Sequence, residues 1–229
     1  MKNRPSANHH SAPDVWLLFN AQFMHTPALL PEINTALLES AMTWESYNSL
    51  LERLMTENKT TGPDQSEQMI NFARLNLQRM RRIGKTVQVQ PDVKTQLAAI
   101  TRRLTLLFIT EGWCGDAAQT LGVINAMAAE IPHADVKVIL RDEHTAVMDH
   151  FLTNGGRAIP IVVLLDADTL EVLGKWGPRP VALQQLIAQW KEQGLQKEQF
   201  IEKVHTWYAA DKTQTTQVDF FATLQAAIA

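Results

Sequence analysis

Cysteine is almost absent from this chain, since Cys114 is the only one among 229 residues. A single cysteine excludes a disulfide bond within the chain, and it excludes any metal site built from several cysteines. It also favours a reducing compartment, in which protein thiols stay unpaired. We therefore expect a cytoplasmic location and no metal site.

Long apolar runs and a strong excess of charge are missing as well. No apolar run approaches the ~20 residues that a membrane-spanning helix requires. The formal net charge is −3 and 45% of the residues are hydrophobic, a balance that is ordinary for a globular domain. The sequence therefore predicts neither a nucleic-acid partner nor a membrane partner. It leaves the oligomeric state open.

Helical and strand patterns organise the chain into four segments: 1–30, 31–85, 86–192 and 193–229. The first lacks sustained periodicity, and we expect it to be poorly ordered. The second is a helical extension whose first helix is capped by Thr43, and whose second helix is capped by Asp64 and ended by Gly84. The third alternates strands and helices, and the fourth holds two helices that pack on it.

Five short apolar or alternating stretches predict the strands: 86–89, 104–110, 135–141, 159–166 and 169–176. The second stretch, "LTLLFIT", is apolar throughout and predicts a central strand. The last two flank a hairpin connection. Alternation with helical stretches predicts an α/β fold, with a mixed central sheet between helices.

The extension helices carry apolar stripes that have no partner within their own segments. An exposed large apolar side chain costs roughly 1.5–3 kcal/mol relative to a buried one, so these stripes must pack against other elements. We expect them to pack on the predicted sheet region, on one another or across a subunit interface, and we expect the turn "KTTGPDQSE" (59–67) to lie close enough to narrow access to Cys114. The stripes consist of Tyr47, Leu50, Leu51, Leu54, Met55, Phe200, Ile201, Val204 and Trp207.

Cys114 follows a predicted buried strand and begins a predicted helix, in the stretch "FITEGWCGDAAQTLG". The unpaired N–H groups and the positive end of the helix dipole favour a thiolate at that position, so we expect a lowered pKa for this cysteine. Gly115 leaves space beside the sulfur for a substrate, and Trp113 supplies a rigid apolar wall. A buried structural cysteine is the alternative.

Pro160 stands directly ahead of an apolar strand in "GGRAIPIVV". Proline cannot donate to a sheet ladder, so the first residue of a strand suits it. In the order found here, "WCG" after the central strand and "GRAIP" before the hairpin resemble the thioredoxin superfamily over about residues 86–192. The chain as a whole is similar to thioredoxin family proteins whose active site reads Trp-Cys-Gly-Asp-Ala.

This resemblance implies a thioredoxin-like fold and an arrangement around the cysteine. The Ile159–Pro160 bond is the expected cis site, and the backbone of Ile159 is expected to face the Cys114 sulfur and pair with an extended substrate. The loops holding Arg157 and Arg179 are expected to approach the same face. Two guanidinium groups there would hold the carboxylates of a small thiol such as glutathione, although ordinary exposed arginines are an equal alternative.

The chain departs from the thioredoxin pattern in the parts that complete the reaction. Ala117 replaces the resolving cysteine, Asp116 replaces the proline before it, and Phe108 stands where thioredoxins commonly carry a buried acid. The attacking half of the chemistry remains. Asp116 is interpreted as a carboxylate that stabilises the helix start; the alternatives are that it raises the thiol pKa or exchanges a proton with the sulfur.

Basic residues crowd the second extension helix, and the favoured interpretation is a solvated face, with an anion-binding patch as the alternative. They are Arg74, Arg79, Arg81, Arg82 and Lys85.

The leading hypothesis is a monothiol thiol–disulfide oxidoreductase. The Cys114 thiolate would attack the disulfide of a protein or of a small molecule, and an external low-molecular-weight thiol would be the only cofactor. A non-catalytic module that binds a peptide or partner in the groove beside Trp113 and Pro160 is the main alternative. An iron–sulfur dimer bridged by one Cys114 from each subunit is a third.

Overall fold

The structure, a computed structural model, describes residues 28–229, apart from the side chains of residues 197 and 198. The strands in this part are β1 (Leu104–Thr110), β2 (Ala134–Leu140), β3 (Ile161–Asp166) and β4 (Val172–Trp176). The helices are α1 (Thr35–Ser40), α2 (Trp44–Thr56), α3 (Glu67–Thr86), α4 (Pro91–Ala98), α5 (Gly115–Ala128), α6 (Thr145–Met148), α7 (Val181–Glu192), α8 (Lys197–Asp211) and α9 (Gln214–Ile228), with a 3₁₀ turn at Asp149–Phe151. Of the stretch 1–30, which is predicted to be poorly ordered, residues 1–27 lie outside the described part of the chain. The first described residue, Ala28, forms an isolated antiparallel bridge with Val172.

The sheet is mixed and has the strand order β2-β1-β3-β4. β1 and β2 are parallel, whereas β3 is antiparallel to both β1 and β4. Every residue of β1 is buried, as its continuous apolar sequence predicts for a central strand. The predicted α/β fold, with a mixed sheet, flanking helices and helical extensions, is confirmed.

The prediction of a strand over residues 86–89 is wrong. The backbone around this stretch finds its partners in one side chain of α9: Gln217 Oε1 accepts from the N–H of Gln90 at 2.8 Å, and Gln217 Nε2 donates to the carbonyl of Gln88 at 3.1 Å. Val87 and Val89 pack against the core without joining the sheet. A side chain from a distant part of the sequence thus replaces the strand partner.

Some predicted helix limits also differ from the structure. α3 begins after Ser66, whose hydroxyl accepts from Met69 N at 3.4 Å, while the Asp64 carboxylate accepts from Ser66 N at 2.9 Å. α3 also continues past Gly84, where a side chain would meet no other atom within 4 Å. This glycine therefore sits on an open helix surface and does not end the helix. The predicted cap at Thr43 is present.

The extension helices α2, α3 and α9 contribute buried residues to the cluster that contains the strands. Tyr47 and Leu51 of α2 belong to the same buried cluster as the strands, and so do Phe220 and Leu224 of α9. α8 is different, because its buried residues join a separate small cluster with α7. That cluster consists of Leu183, Ile187, Val204 and Tyr208. α8 therefore rests on α7 at one side of the molecule.

Across residues 28–229, no helix combines the length and apolarity that crossing a membrane would require.

Candidate functional site

Cys114 is the N-cap residue of α5, directly after the loop that leaves β1. Its sulfur lies 3.5 Å from the N–H of Ala117, which donates to it, and the thiol donates to the carbonyl oxygen of Ile159 at 3.3 Å. Only 6% of the residue is exposed. The described site therefore holds a covered thiol that faces the backbone ahead of Pro160.

The prediction of a lowered pKa for Cys114 is wrong for this arrangement. Burial raises the pKa of the thiol to about 12, and the negative charge of Asp116 adds to the rise. The N–H group of Ala117 and the guanidinium of Arg179 act in the opposite direction, but they do not offset the loss of solvation. The helix N-terminus is present, yet the cost of removing a thiolate from water exceeds its benefit.

The Ile159–Pro160 peptide bond is cis, and so is the bond between Gly177 and Pro178. The two segments touch, because Gly177 packs directly on the Pro160 carbonyl oxygen, where a side chain would clash. Gly177 also has a φ of +119°, a conformation that side chains disfavour. This close approach fixes the loop that carries Arg179 beside the site.

Asp116 lies at the centre of the polar contacts around the sulfur. Arg179 Nη2 lies 2.6 Å from its Oδ2, and the hydroxyl of Tyr208 donates to its Oδ1 at 3.1 Å. Asp116 occupies the first turn of α5, as expected for a carboxylate that stabilises a helix start. Its charge also raises the pKa of Cys114, the effect that the alternative interpretation predicts.

Gly115 faces side chains from both extensions. A side chain at Gly115 would lie 3.8 Å from Arg79 Nη1 and from His205 Cε1, and 3.9 Å from Asn76 Oδ1. Arg79 donates to Asn76 at 3.1 Å and lies 3.4 Å from a ring nitrogen of His205, while Asn76 donates to the carbonyl of Gly112 at 3.1 Å. α3 and α8 thus build the wall beside the cysteine.

Sequence reasoning missed this wall. Arg79 is one of five basic residues on a helix face that is interpreted as solvated, and Tyr208 directly follows the apolar stripe that predicts packing for its helix. No pattern in the sequence marks His205 as part of a site. The helical spacing that places Asn76 and Arg79 on one turn was available, but nothing in the sequence indicates which face of α3 meets α5.

Trp113 is half-buried and is held from two sides. The Arg141 guanidinium lies 4.8 Å from the centre of its ring, and the turn 59–67 contacts the residues beside it. In that turn, Thr61 Oγ1 accepts from Gly112 N at 2.8 Å, and Gly62 packs near the indole nitrogen of Trp113. The turn therefore reaches the segment that leads into Cys114, and that it narrows access to the sulfur stays a prediction.

Arg157 does not join this group. Its guanidinium makes two contacts to the Asp149 carboxylate, of 2.6 and 2.8 Å, and both side chains are exposed. In the described residues, no contact links the Arg157 side chain to Cys114 or Asp116. Of the two predicted arginines, the structure brings only Arg179 to the sulfur.

Glu111 is a buried carboxyl close to the site, and only 1% of it is exposed. Its Oε1 accepts from the N–H of Asp142 at 2.9 Å, whereas no described group bonds to its Oε2. Burial raises the pKa of this carboxyl and the Asp142 charge adds to the rise, while the Thr61 hydroxyl, the Asp142 N–H and the Arg141 charge act in the opposite direction without offsetting the burial. An acid whose pKa is raised in the folded state weakens folding fully above its folded pKa; this penalty shrinks as pH falls through the folded value and is lost below the unfolded value.

We therefore expect Glu111→Gln to stabilise the protein at pH 7. The amide keeps the contact to the Asp142 backbone and removes the buried charge. A shift of the melting midpoint by about 2–4 °C corresponds to roughly 1 kcal/mol in a chain of this size. Thermal unfolding of both proteins at pH 7 and pH 4 checks this prediction. The melting midpoint of Glu111→Gln should exceed that of the wild type at pH 7, and the difference should shrink at pH 4. A lower midpoint for the variant at pH 7 would contradict this account.

Within residues 28–229, no cluster of three or more histidine, cysteine or acidic residues is arranged to hold a metal ion.

A mixed sheet, a cysteine at a helix start after the central strand and a proline-led strand facing its sulfur define a thioredoxin-type domain. The thioredoxin family model matches residues 62–191, more than half of the chain, and the protein belongs to that family. The match extends beyond the predicted core into α3.

Two solved structures are similar to this chain. One is a protein of unknown function from Pseudomonas aeruginosa, with 17% identity and a TM-score of 0.57. The other is an HIV epitope scaffold, with 15% identity and a TM-score of 0.56. In each case the similarity covers 83% of this chain and 96% of the other. At these identities it supports the fold alone. No curated protein matches the chain.

Proposed function

We propose that this protein is a monothiol thiol–disulfide oxidoreductase of the Trp-Cys-Gly-Asp-Ala type that works through Cys114. The observation that carries the proposal is the 3.3 Å contact between the Cys114 sulfur and the Ile159 carbonyl, immediately ahead of Pro160. An extended substrate paired with the Ile159 backbone would present its disulfide to this sulfur. The substrate is a disulfide of a protein or of a small molecule.

The reaction needs one sulfur from the protein and one external thiol. Cys114 loses its proton, and its sulfur attacks the nearer sulfur of the substrate disulfide. The new sulfur–sulfur bond forms while the substrate bond breaks, and the leaving thiolate takes up a proton. A low-molecular-weight thiol then attacks the substrate sulfur of the mixed disulfide, which releases Cys114 as a thiol and joins the external thiol to that half of the substrate by a new disulfide. The protein ends unchanged, one half of the substrate has been set free as a thiol, and the external thiol has taken its place in the disulfide.

Access to the sulfur requires a rearrangement, because Cys114 is buried. α8 is the element best suited to move. It joins a small cluster with α7 rather than the main core, and it reaches the site through the Tyr208 contact to Asp116 and the His205 contact to Arg79. Displacing α8 would break polar contacts at the site and leave the packing of the sheet in place.

A non-catalytic binding module is the second candidate. It is favoured by the burial of Cys114 and by the raised pKa of its thiol, since a protonated thiol is a poor nucleophile. Such a module would bind an extended peptide along Ile159 and Pro160 without forming a bond to sulfur. The iron–sulfur dimer is disfavoured because the sulfur points toward Ile159 inside the protein.

Catalysed exchange distinguishes these candidates. We expect the protein to accelerate the reduction of a small mixed disulfide by excess glutathione over many turnovers per chain, and Cys114→Ser to abolish the acceleration. Circular dichroism and thermal unfolding of Cys114→Ser serve as the control for folding, because a hydroxyl of similar size preserves the cap position. If the wild-type protein does not exceed the uncatalysed rate, and the wild type and Cys114→Ser both bind an extended peptide, the result would support the binding module and exclude the oxidoreductase.

A further inference from the structure

Arg79 carries a charge beside the site without a counter-ion. Its guanidinium is half-buried, and its described partners are the neutral amide of Asn76 and the ring of His205. Among the side chains that the structure describes, no carboxylate oxygen lies within 4 Å of it. A partly buried cation normally pairs with an anion, because desolvation is costly without one.

The nearest negative charge is already engaged elsewhere. Asp116 is held by Arg179 and by the hydroxyl of Tyr208, so Arg79 feels its charge only at longer range. Arg179 has capacity to spare, since its Nε is buried without a described partner. Burial and the adjacent Arg79 charge lower the pKa of His205, which therefore does not act as a third cation at neutral pH. Two guanidinium groups thus face one carboxylate.

Arg79 places this excess positive charge next to the reactive cysteine. Its Nη1 lies 3.8 Å from the point where Gly115 would carry a side chain, and Gly115 is the residue directly after the reactive cysteine. The residue next to the reactive cysteine is therefore bordered by a guanidinium that lacks a carboxylate partner among the described side chains. A guanidinium pairs best with a carboxylate, through short charge-assisted hydrogen bonds.

We propose that Arg79, assisted by Arg179, selects disulfides that carry a carboxylate near the reacting sulfur. This inference rests on the proposed function, because it names the substrate class of that same site. The substrate carboxylate would occupy the missing counter-ion position at Arg79 while its disulfide meets Cys114. The extension helix α3, which supplies Arg79, then acts as a specificity element.

Three small disulfides of different charge test this selection. They are 3,3′-dithiodipropionate with two carboxylates, 2-hydroxyethyl disulfide without charge, and cystamine with two ammonium groups. The rate at which each forms a mixed disulfide at Cys114 is followed by intact mass and divided by its rate with free 2-mercaptoethanol. We expect the anionic disulfide to exceed the neutral one by about tenfold, because one charge-assisted hydrogen bond separates them, and we expect the cationic disulfide to react most slowly.

Variants at two arginines of α3 test whether the preference for anionic disulfides depends on Arg79. Arg79→Gln is expected to reduce the ratio of anionic to neutral rates by about tenfold, and Arg79→Lys to keep part of it. Arg74→Gln is the matched control, since Arg74 is exposed and bonds to Asn71 and Asn58, and the ratio should stay as in the wild type. Circular dichroism checks that each variant folds.

The outcomes separate this inference from the proposed function. Equal normalised rates for the three disulfides, or a preference that survives Arg79→Gln, would overturn the inference while leaving the oxidoreductase in place. Failure of all three to modify Cys114, even at pH 10, would overturn the proposed function and the inference with it.

Discussion

Alkylation of Cys114 by iodoacetamide is expected to be slow at neutral pH and to accelerate about tenfold with each pH unit, without a plateau below pH 10. With a pKa of about 12 against the ordinary 9.0, the thiolate at pH 8 is rarer by roughly a thousandfold. A thiolate of higher pKa is intrinsically more reactive, which recovers roughly twentyfold over three units. The folded protein should therefore react at least about thirtyfold more slowly than the unfolded chain.

The measurement compares the native protein with the same chain in guanidinium chloride from pH 6 to pH 10. The unfolded chain is the internal control, since Cys114 is its only thiol and burial is lost. A native rate that levels off near pH 7 would show a lowered pKa, as the helix start alone predicts, and would contradict the buried resting state. A native rate equal to the unfolded rate would show that the sulfur is exposed.

Phe220→Ala is expected to destabilise the protein by about 3–5 kcal/mol, the usual cost of removing a buried aromatic ring. Phe220 is 0% exposed and packs edge-on against Trp176 of β4, with the two ring centres 6.4 Å apart. α9 lies outside the region that resembles thioredoxin at the sequence level. A large loss of stability would therefore show that the C-terminal extension belongs to the same folding unit as the sheet.

Phe72→Ala is the matched control, because Phe72 of α3 is 44% exposed and its removal leaves no cavity. Guanidinium unfolding monitored by tryptophan fluorescence gives both free energies, and the control should change stability by less than about 0.5 kcal/mol. Equal effects for the two variants, or a separate early transition that alone responds to Phe220→Ala, would mean that α9 is an independent appendage.

The main elements of the fold could be predicted because their signals are local. "LTLLFIT" is apolar at every position and forms the central strand, and the turn within 166–172 joins β3 to β4 as the hairpin pattern indicates. The approach of Cys114 to the segment before Pro160 is what the resemblance to the thioredoxin superfamily implies. The predicted strand at 86–89 failed because its partner is Gln217, more than a hundred residues away.

The candidate site was less predictable because several of its residues come from distant parts of the chain. Cys114, Asp116 and Arg179 come together, but Arg79, Asn76 and His205 reach the site only because α3 and α8 pack beside α5. The pKa of Cys114 depends on how deeply its sulfur is buried, which a motif cannot reveal. The lowered value expected at a helix start assumes an exposed sulfur, whereas Cys114 is only 6% exposed. The local motif therefore identifies the reactive atom but not its environment.

The central claim is that Cys114 works alone and is released by an external thiol. The most direct test isolates the Cys114–glutathione mixed disulfide, made with excess glutathione disulfide at high pH, and follows its intact mass. Because the chain holds no second cysteine, we expect the adduct to persist without added thiol and to be discharged fully by reduced glutathione, restoring the original mass. Failure to form the adduct in the folded protein, or an adduct that external thiol removes only after unfolding, would contradict the account.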